Sequence, residues 1–273
     1  MTDTITLTLR AALDTDVEVD GLTPDRLAAL GSAEIGALPV WRGGERVSLG
    51  DVFTVRGERS AALRVTGALG RVAGLGAGMT MGTLVIDGSA GRGVGAGMSG
   101  GTLEVTGDVG DEAGLAMAGG TLRIRGRAGD RVGGALPGAS RGMTGGEIVV
   151  HGSAGDEAAA RARRGLVVIG GDAGERTARD IIAGSVIVLG RTGRDAGRGG
   201  KRGTIVAVGA IDVPETYLYA CTYEPPHVRL TMTYLRRRYG LPIDEPVAAG
   251  RYRRWCGDAG TPGKGEILQW TAQ

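Results

Sequence analysis

The chain has 273 residues, 53 of them glycine, and its 32 Lys+Arg balance 30 Asp+Glu to a formal net charge of +2. That balance lacks the electrostatic footprint of a nucleic-acid-binding protein, and glycine without a G-X-Y triplet period excludes collagen. Val, Ile and Leu at regular spacing exclude a disordered glycine-rich linker, and aromatic residues, at 4% of the chain, leave the core to smaller side chains.

The opening residues, MTDTITLTLRAALDTD, contain acids and no apolar h-region, so no signal peptide is expected. No stretch reaches the length of a membrane span. The chain therefore reads as a soluble cytoplasmic protein with no membrane or nucleic-acid partner. Within residues 1–50, ITLTLR reads as a strand, and TPDRLAAL as a short helix with Thr23 at the N-cap and Pro24 at the first helical position. This segment is expected to cap the exposed end of the strand-rich region beyond it, where edges would otherwise be unpaired.

From residue 51 to 212 the sequence repeats in phase. GTLVIDGSAG (82–91), GTLEVTGDVG (101–110), GTLRIRGRAG (120–129), GEIVVHGSAG (146–155), GLVVIGGDAG (165–174) and GSVIVLGRTG (184–193) align, with partial copies at 63–70 and 203–212. The second glycines are Gly67, Gly88, Gly107, Gly126, Gly152, Gly171, Gly190 and Gly209, and five of the seven intervals share one 19-residue step. The longest interval, from Gly126 to Gly152, holds GGALPGASRG (133–142), which reads as a loop excursion.

Each copy carries a short alternating strand. Leu84 and Ile86, Leu103 and Val105, Leu122 and Ile124, Ile148 and Val150, Val167 and Ile169, and Val186 and Val188 form the inward column. Val85, Glu104, Arg123, Val149, Val168 and Ile187 face outward, and the last three, being apolar, suggest a covered face. One 19-residue unit cannot bury its own apolar side, but stacked units can. About eight coils spaced ~4.8 Å apart give a rod roughly 35 Å long.

Glycine at the corners supplies backbone conformations with φ > 0. These glycines are architecture. A dinucleotide fingerprint needs a single glycine turn between strand and helix, and a P-loop needs Gly-Lys-Ser/Thr, which is absent. Met79, Met98, Met117 and Met143, each three residues before a leading glycine, read as a stacked core column.

Chemistry-bearing residues are few. His151 and His227 lack an acid and a nucleophile at recognisable spacing, and Cys221 and Cys256 form no CxxC pair. No catalytic, cofactor-binding or metal-binding residue is therefore assigned. The charges Arg71, Arg92, Asp111, Asp130, Asp156, Glu175 and Arg194 follow turn glycines and read as a solvated edge. Arg191, Arg194, Arg198, Lys201 and Arg202, with Asp195 the only acid among them, form a locally basic stretch and a candidate anion contact.

Residues 213–273 hold every tyrosine and two of the three tryptophans. Tyr217, Tyr219, Tyr223, Tyr234 and Tyr239 are of the residue types enriched at interfaces and form a candidate partner surface. The same segment could instead cap the last coil.

The phased pattern, with GMTMGTLVIDGSAG and GMSGGTLEVTGDVG, resembles the C subunit of formylmethanofuran dehydrogenase, which is related to the C-terminal glycine-repeat domain of the glutamate synthase large chain. The likeness covers roughly residues 50–212, and LPVWRGGERVSLGDVFTVRG (38–57) resembles the lead-in of that subunit. The resemblance implies an all-β, right-handed parallel β-helix that acts as a non-catalytic subunit. It further implies a complex that transfers a formyl group between tetrahydromethanopterin and a methanofuran-type carrier and releases formate. In the methanogen version the other subunits carry a molybdenum or tungsten pterin. In either case the carriers and any metal are expected on partner subunits, and none on this chain. An anionic carrier tail could meet the 191–202 stretch. Arginine in place of lysine tilts the reading toward the bacterial formyltransferase/hydrolase. The alternatives are a glutamate-synthase-like structural domain and a hexapeptide-repeat acyltransferase; missing hexads argue against the latter.

Overall fold

The computed structural model describes residues 4–261 and 263–272. The opening segment contains β1 (Ile5–Leu9), β2 (Val17–Glu18), α1 (Pro24–Leu27), α2 (Ser32–Gly36), β3 (Pro39–Arg42), β4 (Glu45–Ser48), α3 (Leu49–Val52) and β5 (Phe53–Arg56). The repeats supply β6 (Ala62–Thr66), β7 (Val72–Ala73), β8 (Thr83–Asp87), β9 (Thr102–Val105), β10 (Thr121–Ile124), β11 (Glu147–Val150), β12 (Leu166–Ile169), β13 (Ser185–Val188) and β14 (Thr204–Ala207). The last segment holds β15 (Leu218–Tyr223), α4 (Pro226–Tyr239), α5 (Glu245–Ala248), β16 (Arg251–Cys256) and β17 (Glu266–Thr271).

The chain is mostly β. A 13-stranded sheet runs in the order β15-β16-β17-β14-β13-β12-β11-β10-β9-β8-β6-β1-β5. From β1 to β17 through the repeats all neighbours are parallel; β5 at one end and β16 and β15 at the other are antiparallel. β2, β3, β4 and β7 form a separate four-stranded sheet beside the first repeats.

Register explains the regular period. Leu63, Leu84, Leu103, Leu122, Ile148, Val167, Val186, Ile205 and Ile267 are successive partners, and Val65, Ile86, Val105, Ile124, Val150, Ile169 and Val188 follow two residues on. Between strands, single parallel bridges join Leu69, Ala90, Val109, Ala128, Ala154, Ala173 and Thr192 into a second column. Each rung thus touches the next at both strand and return segment, and these columns share one core with Met79, Met98, Met117 and Met143, all fully buried. The long interval between Gly126 and Gly152 leaves register intact, with Thr121 opposite Glu147 and Leu122 opposite Ile148. The excursion is absorbed outside the ladder, where Arg161 Nη1 donates to Ala139 O at 2.9 Å.

The outward column changes character along the stack. Glu104 and Arg123 are partly exposed, whereas Val149, Val168, Ile187 and Val206 lie at 3% exposure or less. Val228, Met232, Leu235 and Tyr239 of α4, with Tyr252 and Leu268, close over them in a second core. A 14-residue helix is about 21 Å long. The five strands β11 to β14 and β17 span four steps, roughly 19 Å. Helix α4 is therefore long enough to lie over these strands, and its C-terminal part meets β11, where Tyr234 and Tyr239 both donate to Glu147. It stops at Gly240, whose φ of 69° provides the left-handed C-cap.

The C-terminal strands continue the sheet, and a loop closes its end. Asp258, 3% exposed, accepts from Gly199 N at 2.7 Å and Gly260 N at 2.9 Å. Burial pushes its carboxyl up, but these amide donors and the Arg198 charge outweigh it and hold the group below the ordinary carboxylate range. A depressed folded-state pKa gives stability that is present above the unfolded value, about 3.9, and lost as pH falls through the folded one. Asp258→Asn is accordingly expected to lower stability by about 1–2 kcal/mol at pH 7. The gap to wild type in thermal melts should narrow as the pH drops below about 4. A constant gap across that range would contradict this role.

Candidate functional site

The turn glycines act differently from the expectation that all of them supply φ > 0. Of the eight second glycines, only Gly67 (φ 131°) and Gly88 (φ 106°) do so. Positive φ falls instead at the leading glycines Gly82, Gly101, Gly120, Gly146, Gly165 and Gly184 and at further glycines between strands, such as Gly76, Gly95 and Gly114. Gly107, Gly126, Gly152, Gly171, Gly190 and Gly209 are required instead by close approach. A Cβ at Gly107 would lie 2.6 Å from Gly88 C and 2.7 Å from Ser89 Oγ, and one at Gly171 would lie 2.5 Å from Ser153 Oγ.

A side-chain ladder adds to the crowding by the neighbouring rung's backbone. Ser89 Oγ accepts from Asp108 N at 3.1 Å, Asp108 Oδ1 from Arg127 N at 2.7 Å, Ser153 Oγ from Asp172 N at 3.1 Å, and Asp172 Oδ1 from Arg191 N at 2.8 Å. The charges read as a solvated edge form a second one. Asp111 Oδ1 accepts from Asp130 N at 2.9 Å, Asp130 Oδ1 from Asp156 N at 2.8 Å, and Asp156 Oδ1 from Glu175 N at 2.8 Å. Each carboxylate reaches over the next rung's glycine to the amide beyond it. Charge-assisted bonds to backbone N–H offset the like-charge stacking.

A third feature escapes sequence reading. Glu112, Arg131, Glu157, Arg176 and Asp195 take φ values of 56–67° at positions that earlier rungs fill with Gly74 and Gly93. Such conformations cost roughly 1–2 kcal/mol each. The pairs Glu112–Arg131 and Glu157–Arg176, each at 3.0 Å, bridge successive rungs.

No catalytic constellation appears among the described residues. His151 sits between two carbonyls, with Nδ1 3.1 Å from Ile124 O and Nε2 2.9 Å from Tyr239 O. Arg123 Nη2 also donates to Tyr239 O at 2.8 Å, and its guanidinium lies 5.7 Å from the Tyr239 ring centroid. Both residues thus fasten the end of α4. Among the described residues no three His, Cys, Asp or Glu side chains group as metal ligands. Nor is any helix there long and apolar enough to cross a membrane. A groove of about 510 Å³ beneath the excursion is lined by Arg131, Leu136, Glu157, Arg161, Arg179 and Asp180. Arg131 is engaged there with Glu112, and Arg161 and Arg179 with Asp180.

The five tyrosines separate. Tyr217 and Tyr239 are internal, at 4% exposure, which removes them from any free surface. Tyr217 donates to Gly197 O at 2.8 Å, and burial, aided by the Asp258 charge, pushes its hydroxyl up to about 12. Tyr239 and Tyr234 both donate to Glu147. Tyr223 is half-buried, while Tyr219 (54%) and Tyr234 (41%) are exposed.

The basic stretch also separates. Arg194 meets Glu175 at 2.8 Å, Arg198 meets Asp195 at 3.0 Å, and Arg191 meets Asp172 at 3.7 Å. The acids that pair with Arg191 and Arg194 stand one full period earlier, in the adjacent rung, where a linear reading does not look. Lys201 and Arg202 lie on a different corner, exposed and without an ion pair among the described residues.

No protein-family model matches the chain. The C subunit of the molybdenum-containing formylmethanofuran dehydrogenase 1 of Methanosarcina barkeri is 38% identical over 87 residues, 30% of this chain and 29% of its own length. The C subunit of the formyltransferase/hydrolase complex Fhc of Methylorubrum extorquens is 36% identical over 87 residues, 32% of this chain and 33% of its own length. These alignments span about a third of the curated relatives. A chain of the crystal structure of the formyltransferase/hydrolase complex FhcABCD from Methylorubrum extorquens, solved with methylofuran, superposes with a TM-score of 0.89. It is 36% identical, and the match covers 98% of this chain and 100% of that one.

Proposed function

The chain belongs to the family of the C subunit of formylmethanofuran dehydrogenase and of the formyltransferase/hydrolase complex, and from that premise we propose that it is the non-catalytic structural subunit of a formyltransferase/hydrolase complex. The complex would transfer a formyl group between tetrahydromethanopterin and a methanofuran-type carrier and release formate, in the cytoplasm. The carriers and any metal would reside on sister subunits. We further propose that the ladder is a right-handed parallel β-helix of about eight coils. Residues 1–50 would form its first cap, 51–212 the repeats and 213–273 the closing extension.

The observation that carries this reading is the likeness to a chain of the FhcABCD complex over nearly the whole length. The repeat geometry supports it, since most side chains with chemistry are engaged in holding rungs or α4 together. A second reading, the C subunit of a molybdenum or tungsten formylmethanofuran dehydrogenase, is favoured by the Methanosarcina barkeri relative.

The test is co-expression with the sister chains of the same organism. The isolated chain is expected to show no formyl transfer or hydrolysis, and the assembled complex both. Turnover by the isolated chain would overturn the scaffold reading. Molybdenum or tungsten retained by the complex, with formyl oxidation in place of hydrolysis, would select the dehydrogenase.

A further inference from the structure

One corner of the stack aligns five cations that make no ion pair among the described residues. Register pairs Leu166 with Ser185, Thr204 and Glu266 across β12, β13, β14 and β17. Two residues upstream, the same register aligns Arg164, Ala183, Arg202 and Lys264, with Arg163 and Lys201 beside them; Lys264 N donates to Lys201 O. Arg163, Arg164, Lys201, Arg202 and Lys264 are all exposed, and none makes an ion pair among the described residues. The strip spans three rung steps, roughly 14 Å. Both lysines of the chain lie in it.

Nearby carboxylates make no ion pair with it. Glu147 accepts from Tyr234 and Tyr239, and Glu266 accepts from Arg254 and Thr204. Elsewhere on the stack the arginines are mostly paired rung to rung. The strip also has an apolar border. Tyr234, bonded to Glu147 at the first position of β11, and Leu230, 72% exposed and one helical turn earlier, lie on α4 along this edge of the sheet. Cations spread over three rungs do not converge as a pocket for one small anion, and the chain as a whole lacks the charge of a nucleic-acid binder.

Resting on the structural-subunit reading, we infer that this corner docks an acidic polypeptide segment of a sister subunit, laid along the stack axis with its carboxylates on Arg163, Arg164, Lys201, Arg202 and Lys264. Exposed charges paired across such a contact are screened by salt, and they govern encounter and register more than they add affinity. The contact is therefore salt-sensitive.

The experiment is co-expression of the tagged chain with its sister subunits, followed by capture at low salt, about one Debye length of 10–15 Å, and at high salt, about 4 Å. The test variant is R163E/R164E/K201E/R202E/K264E, and the control variant is R191E/R194E, at cations that face Asp172 and Glu175. Thermal melts of both variants check folding. The strip variant is expected to retain at least tenfold less of the sister subunits at low salt while melting within a few degrees of wild type. An intermediate variant, R163Q/R164Q, is expected to fall between, which guards against a folding defect in the full reversal. Sister subunits retained equally by wild type and the strip variant overturn the inference while leaving the subunit reading intact. Wild-type chain that captures no sister subunit at either salt overturns both. Tighter retention of a DNA duplex than of the sister subunits overturns the acidic-polypeptide assignment.

Discussion

Gly120→Ala is expected to destabilise the chain by about 2–5 kcal/mol, the sum of left-handed strain and overpacking. Gly120 has φ of +83°, and a Cβ there would stand 2.7 Å from Met98 Cε and 2.8 Å from Gly100 C. The pattern recurs, with Met79 Cε 2.5 Å from a Cβ at Gly101, Met117 Cε 2.9 Å from one at Gly146 and Met143 Cε 2.7 Å from one at Gly165. Each methionine methyl occupies the room that the next rung's leading glycine leaves. Gly88→Ala provides the comparison. Its φ of +106° is equally unsuited to a side chain, but the nearest atom, Gly67 O, lies 3.6 Å away. Strain alone then remains, about 1–2 kcal/mol. Denaturant midpoints for the two variants would separate the effects, and equal losses would show that the methionine column is not the constraint.

Val168→Glu carries the second large effect. Its counterpart in an earlier rung, Glu104, shows that the outward slot accepts charge where no helix lies over it, and Arg123 in the rung after it meets the end of α4 through Tyr239. Val168 itself is fully buried beneath α4 among Val149, Ile187 and Met232. An unpaired carboxylate there would cost about 3–5 kcal/mol or would undock the helix. Hydrogen exchange should show α4 losing protection while the amides of the inward core columns keep theirs. If α4 stays protected and the melting temperature is unchanged, the helix does not depend on that face.

How far the sequence could be read follows from what repeats within it. Alternation and a regular period placed the strands, the inward columns and the methionine column, because each obeys a local rule. The apolar run Val149, Val168 and Ile187 signalled a cover, and the covering element proved to be the tyrosine-rich segment itself. The role of glycine was legible, but its reason was only partly so. Six of the second glycines yield to a neighbouring rung's backbone and side chains, and no local rule encodes atoms a full period away along the chain. The same separation hid the acids facing Arg191 and Arg194, and it hid the Asp108 and Asp172 ladder. Non-glycine residues at positive φ, such as Glu112 and Arg176, gave no signal, since a Cβ argues against that conformation wherever it is considered alone.

The proposed scaffold role fits the small number of side chains left over for chemistry. Ladders, columns and α4 engage His151, most of the tyrosines and many arginines, while the basic corner groups five cations that make no ion pair among the described residues. The most direct measurement is the mass of the intact complex formed when this chain is co-expressed with its sister subunits, taken by native mass spectrometry. Stoichiometric incorporation of this chain, with formyl transfer and formate release confined to the assembled particle, is the expected result. A chain that stays apart from the sister subunits, while those subunits assemble and turn over without it, would contradict the role proposed for it.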